Sequence, residues 1–419
     1  MIIFSQRLLS ELTVFYGFKL KLINKVYLSL VIFLIAVPGS AFTVLKAALI
    51  LLTIPFYFYY LYKYKLLLEY YVLLLYGFAI VLIWLFIGFY KNDMQNVLRE
   101  GASYLLFLYT LSFFIFNYIY IDKSKFITVV LSSVALYAVI KVGFFLIIFL
   151  GVISPLDAYE LLDSYAPGVV VTSVVEDQLP RITTANDYLL PVFTSWLLYE
   201  QKYGNIGKYT FRAAFFLGIF LIILTLSRYL YGFFILSTII FLLLNRNIKV
   251  ILTYIFSFVL LLSIIFMFLY KIGYSEIIID RFFGKSAQSS DAIKKAQWTP
   301  IISLMENAPI IGNGFGVALN LFRKDMEQSY QIELQVPLFF GKIGFLGMGL
   351  ICIILVYLLL KIALQVQQSI NDRLFILSLF VLWLLGGFFN PVLLLTNTTI
   401  NYLLIYTMTE PRDLILSAA

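Results

Sequence analysis

The feature that most constrains this chain is a series of apolar runs, most of them long enough or nearly long enough to cross a lipid bilayer as a helix. A spanning helix needs about 20 apolar residues. With 62% hydrophobic and 12% charged residues over 419 positions, the chain is far more apolar than a soluble domain. We therefore predict an all-α polytopic membrane protein with about 12 transmembrane helices, forming a single integral membrane domain over residues 1–419.

The apolar runs also give the predicted positions of the spans. They cover 23–39, 41–62, 66–90, 101–121, 126–152, 184–200, 211–227, 229–245, 248–270, 334–360, 374–389 and 391–408. Tight hairpins are expected at Pro38/Gly39, at Arg228 and at Asn390/Pro391, because Gly, Pro or a polar residue supplies the turn there.

The distribution of Lys and Arg predicts which side each connection faces. With the N-terminus in the cytoplasm, most basic residues of the short connections fall on the cytoplasmic side. The short connections on the other side hold only Lys91, Arg99, Arg181 and Arg228. Cytoplasmic loops carry an excess of Lys and Arg, so we expect both termini in the cytoplasm and the long segments 153–183 and 271–333 outside. The same bias explains the net charge of +8 without a nucleic-acid partner.

Three lysines lie within predicted spans, and they differ in depth. Lys46 and Lys342 lie about two turns below the outer surface, from which a long side chain can snorkel outward. Lys141 lies near the middle of its helix, where a charge costs at least about 2.5 kcal/mol. We expect Lys141 to face the bundle interior, and the sequence leaves open whether its role is structural or ligand-binding.

The residue types present limit the chemistry. The chain has no His and one Cys, Cys352, so it cannot form a Cys/His zinc site, a Cys/His nucleophile pair or an internal disulfide. Catalysis would have to rely on carboxylates, Lys, Arg, hydroxyls and backbone groups. No metal and no other cofactor is expected.

The long segment 271–333 is a polar insert of mixed charge, and we expect any chemistry to be located there. A loop helix is predicted at about 292–307, with Ser290 or Asp291 as N-cap and a kink at Pro300. Its apolar face is expected to hold Ala292, Ala296, Ile301 and Met305, with Lys294 and Lys295 pointing away.

Two further motifs of the predicted outer side are ambiguous by themselves. The GNGFG loop at 312–316 follows no strand and lacks the phosphate-loop lysine, so a simple turn is its commoner role. Arg228, in the string LTLSRYLYG, is either an interface anchor or a fork for an anionic headgroup. Arg181, in an acidic loop, either pairs with Asp177 or binds an anion.

The order of these pieces is more informative than any one of them. A Ser-Arg pair at the outer end of a span is followed by further spans and a large outer loop that contains Trp298 and PIIGNGFG. An acidic start of a span with Gly341-x-x-Gly344 completes the series. This order resembles the O-antigen polymerase and O-antigen ligase superfamily. Ligases of this group usually carry a His where this chain has Glu333, which favours the polymerase branch.

The resemblance implies a metal-independent glycosyltransferase of the C-type membrane fold in the bacterial cytoplasmic (inner) membrane. Donor and acceptor would be undecaprenyl diphosphate-linked oligosaccharides, with membrane lipid and a chain-length regulator protein as further partners. Five basic residues would stabilise the diphosphate leaving group: Arg181, Arg228, Arg281, Lys294 and Lys295. Glu333 would be the general base for the acceptor hydroxyl, with Glu327 as its competitor. The family's frequent Arg four residues before the loop Trp is Lys294 here, which lacks the bidentate fork.

Two other functions remain open. The O-antigen ligase of the same superfamily would transfer finished polymer, although the missing His argues against it. A lipid-linked oligosaccharide flippase would also have about twelve spans, but short loops and charges within the spans would be expected of it. In this chain the loops are long, and Lys141 is the one deep basic residue.

Overall fold

The computed structural model describes residues 24–37, 43–55, 68–118, 121–154, 157–158, 160, 170–173, 180–245, 263, 267, 270, 284–319, 334–364, 368–390 and 393–409. The helices of these segments are α1 Asn24–Ala36, α2 Thr43–Leu51, α3 Leu68–Lys91, α4 Met94–Tyr118, α5 Lys123–Phe149, α6 Leu189–Lys202, α7 Lys208–Leu224, α8 Arg228–Asn245, α9 Lys285–Asn307, α10 Gln335–Ala363, α11 Ile370–Gly386 and α12 Thr399–Thr409. Short 3-10 turns at Ala185–Tyr188 and Thr396–Thr398 precede α6 and α12.

The described part of the chain is helical except for one antiparallel hairpin in the first long loop. Its strands are β1, Val170–Ser173, and β2, Pro180–Thr183, with Thr172 opposite Arg181. Apart from this hairpin of two four-residue strands, the prediction of an all-α chain is confirmed for the described residues. Val170, Val171 and Thr172 of β1 and Ile182 and Thr183 of β2 are β-branched, and such residues favour extended backbone.

The predicted apolar runs agree with the helices wherever the structure describes them. The run 248–270 lies outside the described residues except for three isolated helical positions, and each of the other runs contains a helix. Among the described residues, four helices are long and apolar enough to cross a membrane. These are Val72–Lys91, Met94–Tyr118, Lys123–Phe149 and Gln335–Ala363. α4 begins seven residues before its predicted run because Asp93 accepts hydrogen bonds from the backbone N–H groups of Gln95 and Asn96.

Hydrogen bonds between elements divide the helix ends into two groups. At one end of the bundle, Lys123 pairs with Glu200 at 2.9 Å and Lys202 pairs with Asp372 at 2.6 Å. We call this the basic end, and it collects the helix ends predicted to be cytoplasmic. The opposite end, which we call the loop end, collects the ends to which segments 153–183 and 271–333 attach. There Asn186 donates to the Ile35 carbonyl at 2.8 Å.

The core is built around α6. Its residues from Leu189 to Glu200 are all buried, as expected of a helix surrounded by other helices. Trp196 donates to the Thr407 hydroxyl at 3.1 Å, and Tyr199 donates to the Met408 carbonyl at 2.9 Å. These bonds fix α6 against α12.

The three lysines within predicted spans, Lys46, Lys141 and Lys342, are all buried, with different partners. Lys141 forms an ion pair with Asp187, so the prediction that it faces the bundle interior is confirmed. Lys342 pairs with Glu100 at 2.6 Å, and Lys46 donates to the Val37 carbonyl at 3.3 Å. The expectation that Lys46 and Lys342 snorkel outward is therefore wrong. A carboxylate or carbonyl inside the bundle satisfies the ammonium group without requiring it to reach water.

Candidate functional site

The glycine loop 312–316 is a packed plug between α3, α4 and α10. Each of its glycines has φ near +80°. A Cβ on Gly314 would lie 2.4 Å from the backbone N of Gly88, so only glycine fits this approach. The loop is therefore a fixed structural element and more than a simple turn.

The backbone N–H groups of the plug all donate to protein acceptors. The acceptors, in order from residue 312 to residue 316, are the carbonyls of Ala308, Gly341, Lys342 and Trp84 and the Glu100 carboxylate. The plug therefore leaves no backbone N–H in 312–316 for a phosphate. This excludes the phosphate-loop interpretation that a glycine-rich motif suggests.

The plug fills a break in α10. Gly344 has φ +65°, which interrupts the helical hydrogen bonds there. The freed N–H groups of Phe345 and Leu346 donate to the carbonyls of Pro309 and Ile310 at 2.8 and 2.9 Å. The second glycine of the Gly341-x-x-Gly344 motif is thus explained by the positive φ that the break in α10 requires.

A buried ion pair lies beneath the plug. Glu100 is 3% exposed and Lys342 is 1% exposed. One carboxylate oxygen of Glu100 accepts from Lys342 and from the Tyr104 hydroxyl, each at 2.6 Å. The other accepts from the N–H of Gly316 at 2.6 Å. Both oxygens are used inside the protein, so we assign this cluster to the fold.

A second polar cluster at the loop end is more exposed to solvent. It contains Arg228, Asp291, Lys294 and Lys295, and we call it the loop-end cluster. It begins at the turn between α7 and α8, where Leu226 has φ +48°, an uncommon conformation for a residue other than glycine. The N–H of Ser227 donates to the Thr225 hydroxyl at 3.2 Å, and Arg228 is the first residue of α8. The predicted hairpin at Arg228 is confirmed. The turn holds the guanidinium at the surface of the loop end.

Two other predicted segments meet this turn. The Thr183 hydroxyl at the end of β2 donates to the Thr225 carbonyl at 3.4 Å, which brings the strand that contains Arg181 to the turn. The Arg228 guanidinium donates to both carboxylate oxygens of Asp291 on α9, at 2.6 and 3.2 Å. The side chains of this ion pair are 30% and 62% exposed.

α9 carries Lys294 and Lys295 next to this ion pair. Residues three and four positions apart are neighbours on a helix, so both lysines lie near Asp291. Lys295 is exposed and Lys294 is half-buried. Three predicted diphosphate ligands, Arg228, Lys294 and Lys295, therefore share one region of the loop end.

The loop helix differs from its prediction in two respects. α9 begins at Lys285 with Gly284 as N-cap, so Ser290 and Asp291 are helical residues and not caps. Gly284 is the nearest upstream residue that disfavours helix, which explains the earlier start. Pro300 lies inside the helix. The described part of segment 271–333 holds this helix of 23 residues.

The buried face of α9 is also shifted from the predicted one. Ala292 and Ala296 are exposed, whereas Ile301 and Leu304 are buried. The cluster they form also contains Leu319, Leu334 and Leu338. This face is buried because it packs against the start of α10. The periodicity of apolar residues within α9 does not contain this information.

Leu334 connects α9 to the predicted catalytic position, because it directly follows Glu333 in the chain. Glu333 and Arg281 lie outside the described residues, as does the side chain of Arg181. Leu334, which follows Glu333, packs against Ile301 and Leu304 of α9. Thr183, two residues after Arg181, donates to the Thr225 carbonyl of the turn before Arg228.

Gln297 is a member of this region that the sequence did not indicate. It is 2% exposed, and within the part of the chain that the structure describes neither atom of its side-chain amide has a hydrogen-bond partner. A glutamine in a polar helix normally lies at the surface. No sequence signal distinguishes it from the exposed Gln288 on the same helix.

The loop-end cluster is suited to binding an anion. A guanidinium pairs bidentately with a phosphate in the same way that Arg228 pairs with Asp291. An anionic ligand would have to replace Asp291, and nearby Lys294 and Lys295 would add positive charge. Comparison of the chain with known protein families, curated proteins and solved structures finds no match.

Proposed function

We propose that this protein is a membrane glycosyltransferase that joins undecaprenyl diphosphate-linked repeat units into a surface polysaccharide. In this proposal about 12 spans form a C-type glycosyltransferase fold in the bacterial inner membrane. Both termini are cytoplasmic and the loop end faces outward, following the excess of Lys and Arg at the basic end. A chain-length regulator protein would be an additional partner.

One observation carries the proposal. Four segments that are far apart in the sequence meet at the loop end, and each holds or adjoins a residue expected to act on the substrate. They are β2 with Arg181, the turn before Arg228, α9 with both lysines, and the start of α10 directly after Glu333. Independent loops without a shared role have no reason to place basic residues and a carboxylate position together.

The chemistry follows from the charges. The acceptor hydroxyl attacks the anomeric carbon of the donor sugar, and Glu333 takes its proton as the new C–O bond forms. The bond from that carbon to the diphosphate oxygen breaks, and the lipid diphosphate leaves with the electron pair. Arg228, Lys294 and Lys295, together with Arg181 and Arg281, stabilise the negative charge that develops on the leaving group.

The decisive experiment is an assay of the purified full-length protein with lipid-linked repeat units from its host. Glu333→Gln keeps the shape of the side chain but removes its basicity, so polymer formation should fall by about 10²- to 10⁴-fold. Glu327→Gln is the matched control and should retain the wild-type rate. Wild-type polymerisation by Glu333→Gln together with a loss in Glu327→Gln would move the base to Glu327.

Deletion of the gene distinguishes this function from its two alternatives. Loss of a polymerase leaves single repeat units on the surface anchor. Loss of a ligase leaves polymer on undecaprenyl diphosphate, and loss of a flippase leaves no exported glycan. Gel analysis of the surface glycan of the deletion strain separates these outcomes, and either of the last two patterns would overturn the polymerase proposal.

A further inference from the structure

The Gln297 amide has an environment that the fold does not explain. Buried amides normally have hydrogen-bond partners, because leaving one unpaired opposes folding. The nearby Asn313 follows this rule and donates to the carbonyls of Leu304 and Gly341 at 2.7 and 3.0 Å. Gln297 is more enclosed than Asn313, at 2% exposure, and neither its amide oxygen nor its amide nitrogen has a hydrogen-bond partner among the described residues.

The position of Gln297 on α9 relates it to the loop-end cluster. Asp291, which pairs with Arg228, lies six residues before it, or about 9 Å at 1.5 Å per residue. Ile301, which packs in one cluster with Leu334, lies one helical turn after it. Lys294 lies one turn before it. Along the axis of α9, Gln297 therefore lies between the basic residues and the part of the helix that packs against the start of α10.

We propose that Gln297 is a sugar-binding residue, whose amide forms hydrogen bonds with the first sugar of the lipid-linked repeat unit. The inference rests on the proposed function. The diphosphate of such a donor is attached directly to its first sugar, so a polar group close to the basic residues would meet that sugar. An amide offers one acceptor and one donor group, which suits a sugar hydroxyl beside a second hydroxyl or an acylamino oxygen.

A structural role and a binding role predict opposite results for an apolar substitution. If the amide only occupies space, Gln297→Leu removes an unpaired polar group and leaves binding intact. If the amide binds sugar, the same change weakens binding while the protein stays folded. The melting temperature of Gln297→Leu should equal or exceed that of the wild type in both cases, so binding is the discriminating measurement.

The experiment uses full-length protein in lipid nanodiscs and two probes. The first is the lipid-free repeat-unit oligosaccharide from the host, with Kd measured by calorimetry. The second is the undecaprenyl diphosphate-linked repeat unit, with KM measured for polymerisation. Loss of two neutral hydrogen bonds should weaken oligosaccharide binding by about 10- to 100-fold in Gln297→Leu. The control Gln288→Leu, at an exposed position of the same helix, should bind as the wild type does.

Each outcome supports or overturns the inference. A wild-type Kd in Gln297→Leu, or in the unbranched variant Gln297→Met if the first variant does not fold, overturns it. If the wild type binds oligosaccharide and Gln297→Leu does not, but no polymer forms, the sugar site stands and the polymerase proposal falls. If the wild type forms polymer without measurable oligosaccharide binding, and KM is unchanged in Gln297→Leu, the polymerase stands and the sugar site falls.

Discussion

Two clusters of charged residues lie at the loop end: the plug cluster, which is Glu100 with Lys342 beneath the glycine loop, and the loop-end cluster around Arg228. They differ in how many of their hydrogen-bonding groups are paired within the protein. In the plug cluster, Glu100 and Lys342 are buried, and the carboxylate accepts hydrogen bonds with both oxygens. At the surface of the loop end, the Arg228–Asp291 pair is partly exposed, and the buried amide of Gln297 has no hydrogen-bond partner among the residues that the structure describes. The first arrangement is complete within the protein. The second leaves groups available to a ligand.

Structural and functional polar residues of this chain differ in how many of their hydrogen-bonding groups are paired within the protein. The glycine loop attracts attention in the sequence because such loops often bind phosphate. Its N–H groups are nevertheless all occupied, as a folded element requires. Gln297 attracts no attention in the sequence, yet neither polar atom of its buried amide has a hydrogen-bond partner among the described residues. The count of satisfied groups, and not the motif, identifies the candidate site.

The largest effect is expected from breaking the buried pair. Glu100→Ala leaves Lys342 buried without a carboxylate, which should lower the free energy of unfolding by about 3–5 kcal/mol. Thermal unfolding of the purified protein in detergent measures this loss. Glu306→Ala, at an exposed position of α9, is the control.

The double variant Glu100→Leu with Lys342→Met should recover part of the lost stability, because it removes the uncompensated charge. If Glu100→Ala unfolded at the same temperature as Glu306→Ala, the plug cluster would not be the structural centre described here.

A smaller loss is expected from the plug itself. Gly314→Ala forces a left-handed residue, which costs about 1–3 kcal/mol, and brings Cβ within 2.4 Å of the Gly88 backbone N. Gly349→Ala is the matched control, since a Cβ there meets no atom within 4 Å. Unfolding experiments on the two variants should show a loss in the first and none in the second. Equal stability of the two would mean that the plug is not tightly packed.

The smallest effect on stability, and a large one on activity, is expected at Arg228. Because its ion pair is partly exposed, Arg228→Ala should change the free energy of unfolding by less than about 1 kcal/mol. Polymer formation should nevertheless fall, since the donor diphosphate loses its bidentate partner. Arg212→Ala, at an exposed position near the basic end, should change neither property.

Asp291→Asn sharpens the same test. It leaves the Arg228 guanidinium in place and removes the carboxylate charge that competes with the donor diphosphate for it. The free energy of unfolding should change by as little as in Arg228→Ala, and the KM for the donor should fall. Full activity of Arg228→Ala at normal protein levels would mean that the diphosphate site lies elsewhere. The loop-end cluster would then have no functional role that distinguishes it from the plug cluster.

Much of the helical framework was predictable from the sequence. Long apolar runs gave the positions of α3, α5 and α10 because lipid and protein interiors both select apolar helices. The cost of an unpaired charge in the membrane gave the inward orientation of Lys141. The turn at Arg228 followed from one polar residue between two apolar runs. The start of α9 and its buried face were predicted wrongly, because local periodicity does not include packing against α10.

The sequence by itself determined the helices, their alternating directions and the segments that carry charge, because these depend on local hydrophobicity and local charge. Only the tertiary structure decided which polar groups meet. Glu100 and Lys342 are 242 residues apart, and Arg228 and Asp291 are 63 residues apart. Such pairings depend on how helices pack, and the same packing buries Gln297 with no hydrogen-bond partner in the described segments. For this reason the sequence could name Arg228, Lys294 and Lys295, whereas the structure alone could bring them together.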